Sequence, residues 1–550
     1  IDLPAPAAAS GITISEGTHH NQTSATLTWV SGTDTNFDTH RVKMCTDSAC
    51  SVACVSAGDA SGTSQTVTGL VAGSTYYGCI QSVDLATRTS AWISSGATVV
   101  IDQTDPTDAS NVAVVQYSPS TTVSVAYTDG TDLHLTDVNL KACDSSSCDG
   151  TCIASVTAGS SPGTLVGLSH AVSYYACVQT ADLAGNVGNF VAGNQFTIDT
   201  VDPVAPGTVA IDEGNYSASD TVGLTWVTGT DAISFDTHNV KICTNSGCSS
   251  NCTSDIQNGG TAVSIGSLSD GVSYYACVQS VDSATNTSVG YVASANDTKI
   301  DLTDPTAPSG VTIAEGTHHN TNTITFNWST LGTDENFSTH NLKACTNSAC
   351  SLDCVGDTTA VSSGATVSGL LDTVTYYACV QSLDLAGRTS SFVASSATVT
   401  IDQTSPTDVS GVGAIAYSDS AAVAVTYTDG SDLHYTDVDL KACDTSACNG
   451  SCVSVTTASA SPGSLTGLAD GVTYYGCVRS ADLAGNKGNW VASSSVVVDL
   501  TDPAAPSGIT ISQGTHHNQT TVDLAWNTGT DTNFDTHNVK MCLDNGCTTS

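Results

Sequence analysis

The stretch STYYGCIQSVD, residues 74–84, decides the fold because its side chains alternate between two faces. Tyr76 and Ile80 have the parity of core residues, whereas Tyr77 and Cys79 face the opposite side. A period of two over this length predicts a half-buried β-strand rather than a helix. Similar short runs, such as GITIS, ATLTWV, HRVKMC and ATVVI, stand between Gly-, Asp-, Asn- and Ser-rich turns. The sequence therefore predicts an all-β fold.

Cysteine spacing shows that this unit is repeated. Cys45, Cys50, Cys54 and Cys79 follow C-x4-C-x3-C-x24-C, and four later copies keep this spacing, while Cys542 belongs to a sixth that stops early. Proline-marked linkers such as IDQTDPTDAS separate the copies, as expected where a strand must end. We expect a segment of a longer protein, with these domains: repeats 1–102, 103–200, 201–302, 303–402, 403–500, and a truncated repeat 501–550.

Three segments of each repeat carry a family resemblance. ATLTWVSGTD, THRVKMC and GLVAGSTYYGCIQSVDLA resemble fibronectin type III or bacterial Ig-like repeats, with disulfides added, as in large secreted bacterial surface proteins. The second and fifth repeats depart from the pattern, with Tyr127 and Tyr427 in place of tryptophan. The resemblance implies tandem β-sandwich domains in an elongated rod. The matching residues are Trp29, Leu70, Gly73, Tyr76 and the turn DLAGN at 182–186 and 482–486.

The cysteines favour disulfides, because four per β repeat are typical of proteins from oxidising compartments. No haem-attachment motif is present, and the spacing fits a zinc site less well. On strand parity, and because strands C and F neighbour each other in this fold, we predict one cross-strand bridge and one loop bridge per repeat. The alternative pairs the first cysteine with the third and the second with the fourth. The predicted bridges are Cys45–Cys79, Cys50–Cys54, Cys143–Cys177, Cys148–Cys152, Cys243–Cys277, Cys248–Cys252, Cys345–Cys379, Cys350–Cys354, Cys443–Cys477 and Cys448–Cys452.

The charge is strongly acidic, with 52 acidic against 12 basic residues and a formal net charge of −40. We expect no nucleic-acid binding, because the cationic surface that this requires is lacking, and no membrane insertion in this segment. Carboxylates cluster where the linker, the B–C loop and the F–G turn of a fibronectin-like sandwich share one end. This pattern predicts calcium as a cofactor at the junctions. The alternative interpretation is that these aspartates only form ordinary turns. The candidate ligands are Asp102, Asp105, Asp129, Asp132 and Asp182.

Lysines and histidines recur at fixed positions and are candidate interface residues. Each lysine two residues before the first cysteine has outward parity, so it either pairs with a neighbouring carboxylate or docks on another chain. The histidines of GTHHN and DLH should meet at a seam between repeats, as contact residues or, alternatively, as ligands of a transition metal. The candidates are Lys43, Lys141, Lys241, Lys343, Lys441, Lys540, His19, His20, His134, His318, His319 and His434.

These patterns favour a structural function over catalysis. No nucleophile elbow, metalloprotease motif or phosphate loop stands in a fitting context, so we predict no enzyme activity. We expect an extracellular or cell-surface bacterial protein that forms or belongs to a filament or matrix fibre, with copies of itself or other surface components as partners. One alternative is an adhesin stalk that projects a binding tip lying elsewhere. Another is an array of glycan- or metal-binding modules.

Overall fold

The computed structural model describes residues 4–329 and 333–549 and contains strands and turns but no helix in these ranges. It divides into two compact units, Ile1–Ile300 and Asp301–Ser550. The first unit holds the strands of the first three repeats. They are β1 Ser10–Ile14, β2 His19–His20, β3 Ser24–Val30, β4 Phe37–Cys45, β5 Val55–Ala60, β6 Ser64–Thr68, β7 Thr75–Asp84, β8 Ile93–Ile101, β9 Ser110–Ala113, β10 Tyr117–Ser118, β11 Val123–Thr128, β12 Leu135–Cys143, β13 Cys152–Ala158, β14 Gly163–Leu165, β15 Ser173–Asp182, β16 Val191–Ile198, β17 Gly207–Ile211, β18 Tyr216–Ser217, β19 Val222–Val227, β20 Phe235–Cys243, β21 Ile256–Asn258, β22 Ala262–Ile265, β23 Ser273–Asp282, β24 Val292–Ala293 and β25 Thr298–Ile300.

The second unit holds the strands of the last three repeats, the sixth of which contributes only one strand pair. Its strands are β26 Thr312–Ile313, β27 His318–His319, β28 Thr323–Asn327, β29 Phe337–Cys345, β30 Val355–Ala360, β31 Ala365–Ser368, β32 Thr375–Asp384, β33 Val393–Ala394, β34 Val399–Ile401, β35 Ser410–Ala414, β36 Tyr417–Ser418, β37 Val423–Thr428, β38 Tyr435–Cys443, β39 Cys452–Ala458, β40 Gly463–Leu465, β41 Thr473–Asp482, β42 Val491–Val498, β43 Ser507–Ile511 and β44 Leu524–Asn527.

Each complete repeat builds one small and one large sheet. In the first repeat the small sheet has the order β1-β3-β6 and the large sheet has the order β2-β8-β7-β4-β5. All pairs are antiparallel except the short β2, which runs parallel to β8. In the third and fourth repeats the last strand is split in two, so the large sheet has six strands. This arrangement confirms the predicted all-β class of tandem sandwiches.

The core lies between the two sheets and follows the predicted alternation. Val42 and Met44 of β4 and Ile80 of β7 are fully buried, and Tyr76 is 2% exposed. Between them on the same strands, Lys43 and Cys79 point to the outer face of the large sheet, where they lie directly opposite each other. The outer face is therefore lined by the cysteines and not by ordinary solvated side chains.

The disulfide pairing predicted from parity is wrong in all five complete repeats. Cys45 bonds Cys54, and Cys50 bonds Cys79, which is the alternative pairing. The register explains the difference, because Cys45 stands opposite Tyr77 and Cys79 stands opposite Lys43. The same pairing joins Cys143–Cys152, Cys148–Cys177, Cys243–Cys252, Cys248–Cys277, Cys345–Cys354, Cys350–Cys379, Cys443–Cys452 and Cys448–Cys477.

The loop after β4 turns back to make this pairing possible. Cys50 has a φ of 59°, and its amide donates to the carbonyl of Asp47 at 3.1 Å, so the loop folds over the sheet. Cys50 then lies 5.9 Å from Cys79 between Cα atoms, and Cys45 lies 4.1 Å from Cys54. On the chain-entropy model a bridge across 29 residues contributes about 3.6 kcal/mol and one across 9 residues about 2.6 kcal/mol.

Candidate functional site

The junction between repeats is organised by one aspartate, which directly follows the last strand of a repeat. The amide of Asp102 donates to the carbonyl of His20 in the first repeat at 2.9 Å. Its own carbonyl accepts from Asn186 Nδ2 in the second repeat at 2.8 Å, and its Oδ2 lies 2.8 Å from His134 Nδ1. A single residue is thus hydrogen-bonded on both sides, which leaves no flexible spacer between these two sandwiches.

Other linker aspartates repeat this arrangement within each compact unit. Asp199 donates to the carbonyl of Ser118 at 2.9 Å, and its carbonyl accepts from Asn286 Nδ2 at 2.8 Å. Asp402 donates to the carbonyl of His319 at 2.9 Å and accepts from Asn486 Nδ2 at 2.7 Å. We call Asp102, Asp199, Asp301, Asp402 and Asp499 the linker aspartates.

The linker is also packed against the B–C loop. The amide of Thr131 donates to Thr107 Oγ1 at 2.6 Å, and Thr180 Oγ1 donates to the carbonyl of Thr107 at 2.9 Å. A Cβ placed on Gly130 would lie 1.8 Å from that carbonyl oxygen, closer than any real contact. The B–C loop therefore needs glycine here, because the linker backbone occupies the space of a side chain. The equivalent glycines are Gly32, Gly229, Gly430 and Gly529, each with a linker oxygen within 2.1 Å of its Cβ position.

The predicted histidines meet at two of the junctions. The rings of His19 and His134 lie 4.5 Å apart between centroids at an angle of 56°, and those of His318 and His434 repeat both values. Burial acts to raise the pKa of Asp102, but hydrogen bonds from His134 and the Thr104 amide outweigh it and hold the pKa below its ordinary value. His20 and His319 contribute their backbone carbonyls to the linker aspartates. The GTHHN and DLH motifs are thus parts of one contact.

The five aspartates predicted to bind calcium are only partly brought together. Asp102 and Asp132 form a group with His134 whose candidate ligand atoms lie within 4.8 Å of one another. Both carboxylate oxygens of Asp182 are already hydrogen-bonded, since they accept from the backbone amide and the Nδ2 of Asn186 at 2.8 and 2.7 Å. Asp105 and Asp129 are exposed. In this repeat a histidine therefore stands where a third carboxylate would be needed.

Two other repeats have three carboxylates at the equivalent place. Asp199, Asp231 and Asp282 form one group, and Asp301, Asp334 and Asp384 form the other, each with oxygens within 4.8 Å. Burial first, and then repulsion from the neighbouring carboxylates, raises the pKa of Asp282 and of Asp384. These two groups were not identified from the sequence. A signal was available, since the third and fourth repeats lack the DLH histidine.

The E–F loop supplies a further linker contact that the sequence reading missed. Asp372 accepts hydrogen bonds from the Gln403 amide at 2.7 Å and from Thr404 Oγ1 at 2.8 Å. Asp470 does the same for the amide of Leu500 and the hydroxyl of Thr501. These bonds lower the pKa of both aspartates. The loop therefore caps the chain where it leaves the sandwich.

The repeated lysines lie over aromatic rings on the outer face. Lys43 Nζ is 3.8 Å from the ring centroid of Trp92, and Trp92 packs beside the disulfide cluster. A cation this close to an aromatic face is attracted by the ring quadrupole. The lysine is thereby held on its own repeat. The same contact joins Lys141 to Phe190, Lys241 to Tyr291, Lys343 to Phe392 and Lys441 to Trp490 at 3.7–4.2 Å, while Lys540 Nζ donates to the carbonyl of Cys547 at 2.9 Å.

Across the described part of the chain, no helical segment has the length and apolar character needed to cross a bilayer.

Comparison with known proteins adds little to this description. No family model matches the chain, and no curated protein matches it. Among solved structures, the FN1–FN3 domains of chicken CNTN1 are similar over 53% of this chain and 99% of that chain, with 15% identity and a TM-score of 0.27. A likeness this weak carries no argument about function. The assignment to tandem β-sandwich repeats rests on the sheets themselves, which agree with the fibronectin type III-like domains expected from the sequence.

Proposed function

We propose that this chain is part of an extracellular structural repeat protein that forms or belongs to a surface filament or matrix fibre of a bacterium. The observation that carries the proposal is that Asp102, Asp199 and Asp402 are each hydrogen-bonded to both of the repeats that they join. Repeats joined in this way transmit force through backbone hydrogen bonds and a packed loop instead of through a slack linker. That property suits a protein that spans distance and bears load.

The disulfides support an extracellular location. Ten bridges in five repeats are typical of an oxidising compartment, and each repeat buries three of its four cysteines beneath an aromatic side chain. Bridges of this kind also keep a stretched or transiently opened repeat from unravelling, because they close loops in the unfolded chain. With 12 basic residues in 550, the chain offers few sites to proteases that cleave after lysine or arginine.

The acidic surface argues against nucleic acids and anionic membranes as partners. A net charge of −40 repels nucleic acids and anionic lipid surfaces. It also means that assembly into fibres needs cations or neutral contacts to offset the repulsion between chains. Copies of the same chain or other surface components are the partners that we propose.

An array of glycan-binding modules has less support. Such arrays need aromatic rings open to solvent on one face, but the outward Tyr77 packs against the disulfides and Trp92 lies beneath Lys43. An adhesin stalk remains the second candidate, because the fixed junction between repeats serves a stalk equally well.

Electron imaging of the native, unreduced protein distinguishes the two. Multi-chain fibres of uniform width support the filament. Separate single strands at every concentration support the stalk and would refute the filament. The same sample after reduction is the control. If the beaded appearance of the particles disappears on reduction, the imaged repeats depend on their disulfides.

A further inference from the structure

Three carboxylates converge at the entrance of the fourth repeat. Asp301 comes from the linker, Asp334 from the B–C loop and Asp384 from the end of β32. One oxygen of each lies within 4.8 Å of the other two, and Asp301 and Asp384 are 3% and 2% exposed. Calcium binds oxygen at about 2.4 Å, so two of its ligands are at most about 4.8 Å apart. The three oxygens can therefore share one calcium ion.

One of these oxygens is buried without a hydrogen-bond donor. The amide of Arg388 donates to Asp384 Oδ1 at 2.8 Å, whereas Oδ2 is enclosed and has no donor among the described residues. A buried carboxylate oxygen is normally hydrogen-bonded, so this one requires an explanation. A bound cation would provide it.

In three other repeats a side-chain amide satisfies this oxygen, whereas in the first repeat Arg88 stands there and Asp84 Oδ2 is also buried without a donor in the described part of the chain. Asn186, Asn286 and Asn486 occupy the position of Arg388, and each donates its Nδ2 to the equivalent aspartate at 2.7–2.8 Å. In the fourth repeat Arg388 stands at this position instead, and its Nη2 lies 2.8 Å from Asp304 Oδ1. The fourth repeat therefore combines the three carboxylates with an uncapped oxygen.

The charge of the cluster points the same way. Three carboxylates lie together here, and two of them, Asp301 and Asp384, are almost fully buried. Arg388 is the nearby basic residue, and Asp304 draws on its charge. Asp334 is only half-buried, which leaves a route for an ion and for the water molecules that complete its shell.

We infer that Asp301, Asp334 and Asp384 form a calcium site that fixes the linker onto the loops of the fourth repeat. All-oxygen ligands favour a hard cation over zinc or copper. Calcium is favoured over magnesium because it accepts flexible coordination, whereas magnesium demands near-ideal octahedral geometry and dehydrates reluctantly. This inference goes beyond the proposed function, because it holds whether or not chains assemble into fibres.

The fifth repeat provides a matched control. Its linker aspartate, Asp402, lies 2.8 Å from His434 Nδ1, and both oxygens of Asp482 accept hydrogen bonds from Asn486. Asp482 occupies the same position as Asp384 but has no uncapped oxygen. Asp482→Asn should therefore leave calcium binding unchanged.

The inference can be tested by calorimetric titration of CaCl2 into the metal-free 550-residue chain. A salt concentration of about 150 mM suppresses diffuse binding of calcium to the acidic surface. We expect saturable binding, with one site per chain lost in Asp384→Asn and none lost in Asp482→Asn. Asp334→Asn serves as a second variant, because its amide oxygen can still accept from the Asn336 amide, now at 2.6 Å, and keep the loop folded. Circular dichroism in EDTA checks the fold of each variant.

Loss of one site in either folded variant supports the inference. An absence of saturable calcium binding in the wild-type chain would overturn it. Equal stoichiometry in the wild type, Asp384→Asn and Asp334→Asn would do so as well, since the heat would then come from acidic residues elsewhere.

Discussion

Asn186 should be a principal determinant of how the second repeat holds its linker. Its Nδ2 donates to Asp182 Oδ2 at 2.7 Å and to the carbonyl of Asp102 at 2.8 Å. Replacing Asn186 with alanine removes both bonds and leaves Asp182, which is 4% exposed, with an unpartnered carboxylate oxygen. The F–G turn and the linker should then open more often.

The size of the effect follows from the two bonds. A hydrogen bond to a charged acceptor contributes about 1.5–3 kcal/mol, and one to a neutral carbonyl about 0.5–1.5 kcal/mol. Asn186 is only half-buried, so water replaces part of this, and we expect a net loss of about 2 kcal/mol. Since about 1.4 kcal/mol corresponds to a factor of ten, local protection from hydrogen exchange should fall about 30-fold.

Hydrogen exchange with mass spectrometry on the full chain can measure this, because each repeat gives its own peptides. The reporters are the amides of Asp182 and Gly188, which donate to the carbonyls of Asn186 and Thr180 at 3.1 Å. The fifth repeat keeps Asn486 in the same contacts and serves as the internal control. Unchanged protection in the second repeat, or equal loss in both repeats, would refute the reasoning.

Three further predictions concern the linker, the outer face and the core. Gly130→Ala should cost about 1–3 kcal/mol by forcing the linker away, measured as faster exchange of the linker amides, whereas Gly159→Ala, with open space around its Cβ, should be nearly neutral. Lys141→Gln should lose the contact with Phe190, about 0.5–1 kcal/mol, seen as a two- to fivefold loss of protection in the second repeat; no loss would contradict the cation–π assignment. Burial lowers the pKa of His340 below 6.5, so as the pH falls the unfolded chain takes up the proton before the folded chain does. The urea midpoint of the fourth repeat should therefore fall as the pH drops below about 6.5, and His340→Gln should flatten this dependence. An equally steep fall in the variant would show that another group causes the pH dependence.

Much of the fold could be predicted from the sequence because side-chain alternation carries the information directly. The parity of Val42 and Met44 against Lys43 is a local property of one strand, and the sheet preserves it. Disulfide pairing is not local. Parity placed Cys45 and Cys79 on one face but did not show that the loop returns with Cys50 in a left-handed conformation above Cys79.

The candidate site was harder to predict because its partners are far apart in the chain. The sequence placed Asp102, Asp132 and Asp182 at one end of the sandwich, but it did not show that Asn186 satisfies Asp182 while His134 takes Asp102. The outward lysine is predicted to pair with a neighbouring carboxylate or to dock on another chain, whereas the ring that Lys43 contacts, Trp92, lies immediately before the last strand. An aromatic residue recurs there in every complete repeat, as Trp92, Phe190, Tyr291, Phe392 and Trp490, and could have revealed the contact.

The most direct test of the central claim is a map of the native disulfides in the second repeat. Endoproteinase Asp-N cleaves before Asp144 and Asp149, and chymotrypsin then cleaves after Leu165 and Tyr175. Denatured but unreduced protein therefore yields Cys143, Cys148, Cys152 and Cys177 on separate peptides. The account of an oxidised sandwich, stapled across its outer face, predicts the bridges Cys143–Cys152 and Cys148–Cys177. Peptides that join Cys143 to Cys177, or four free thiols in protein isolated from its native source, would contradict it.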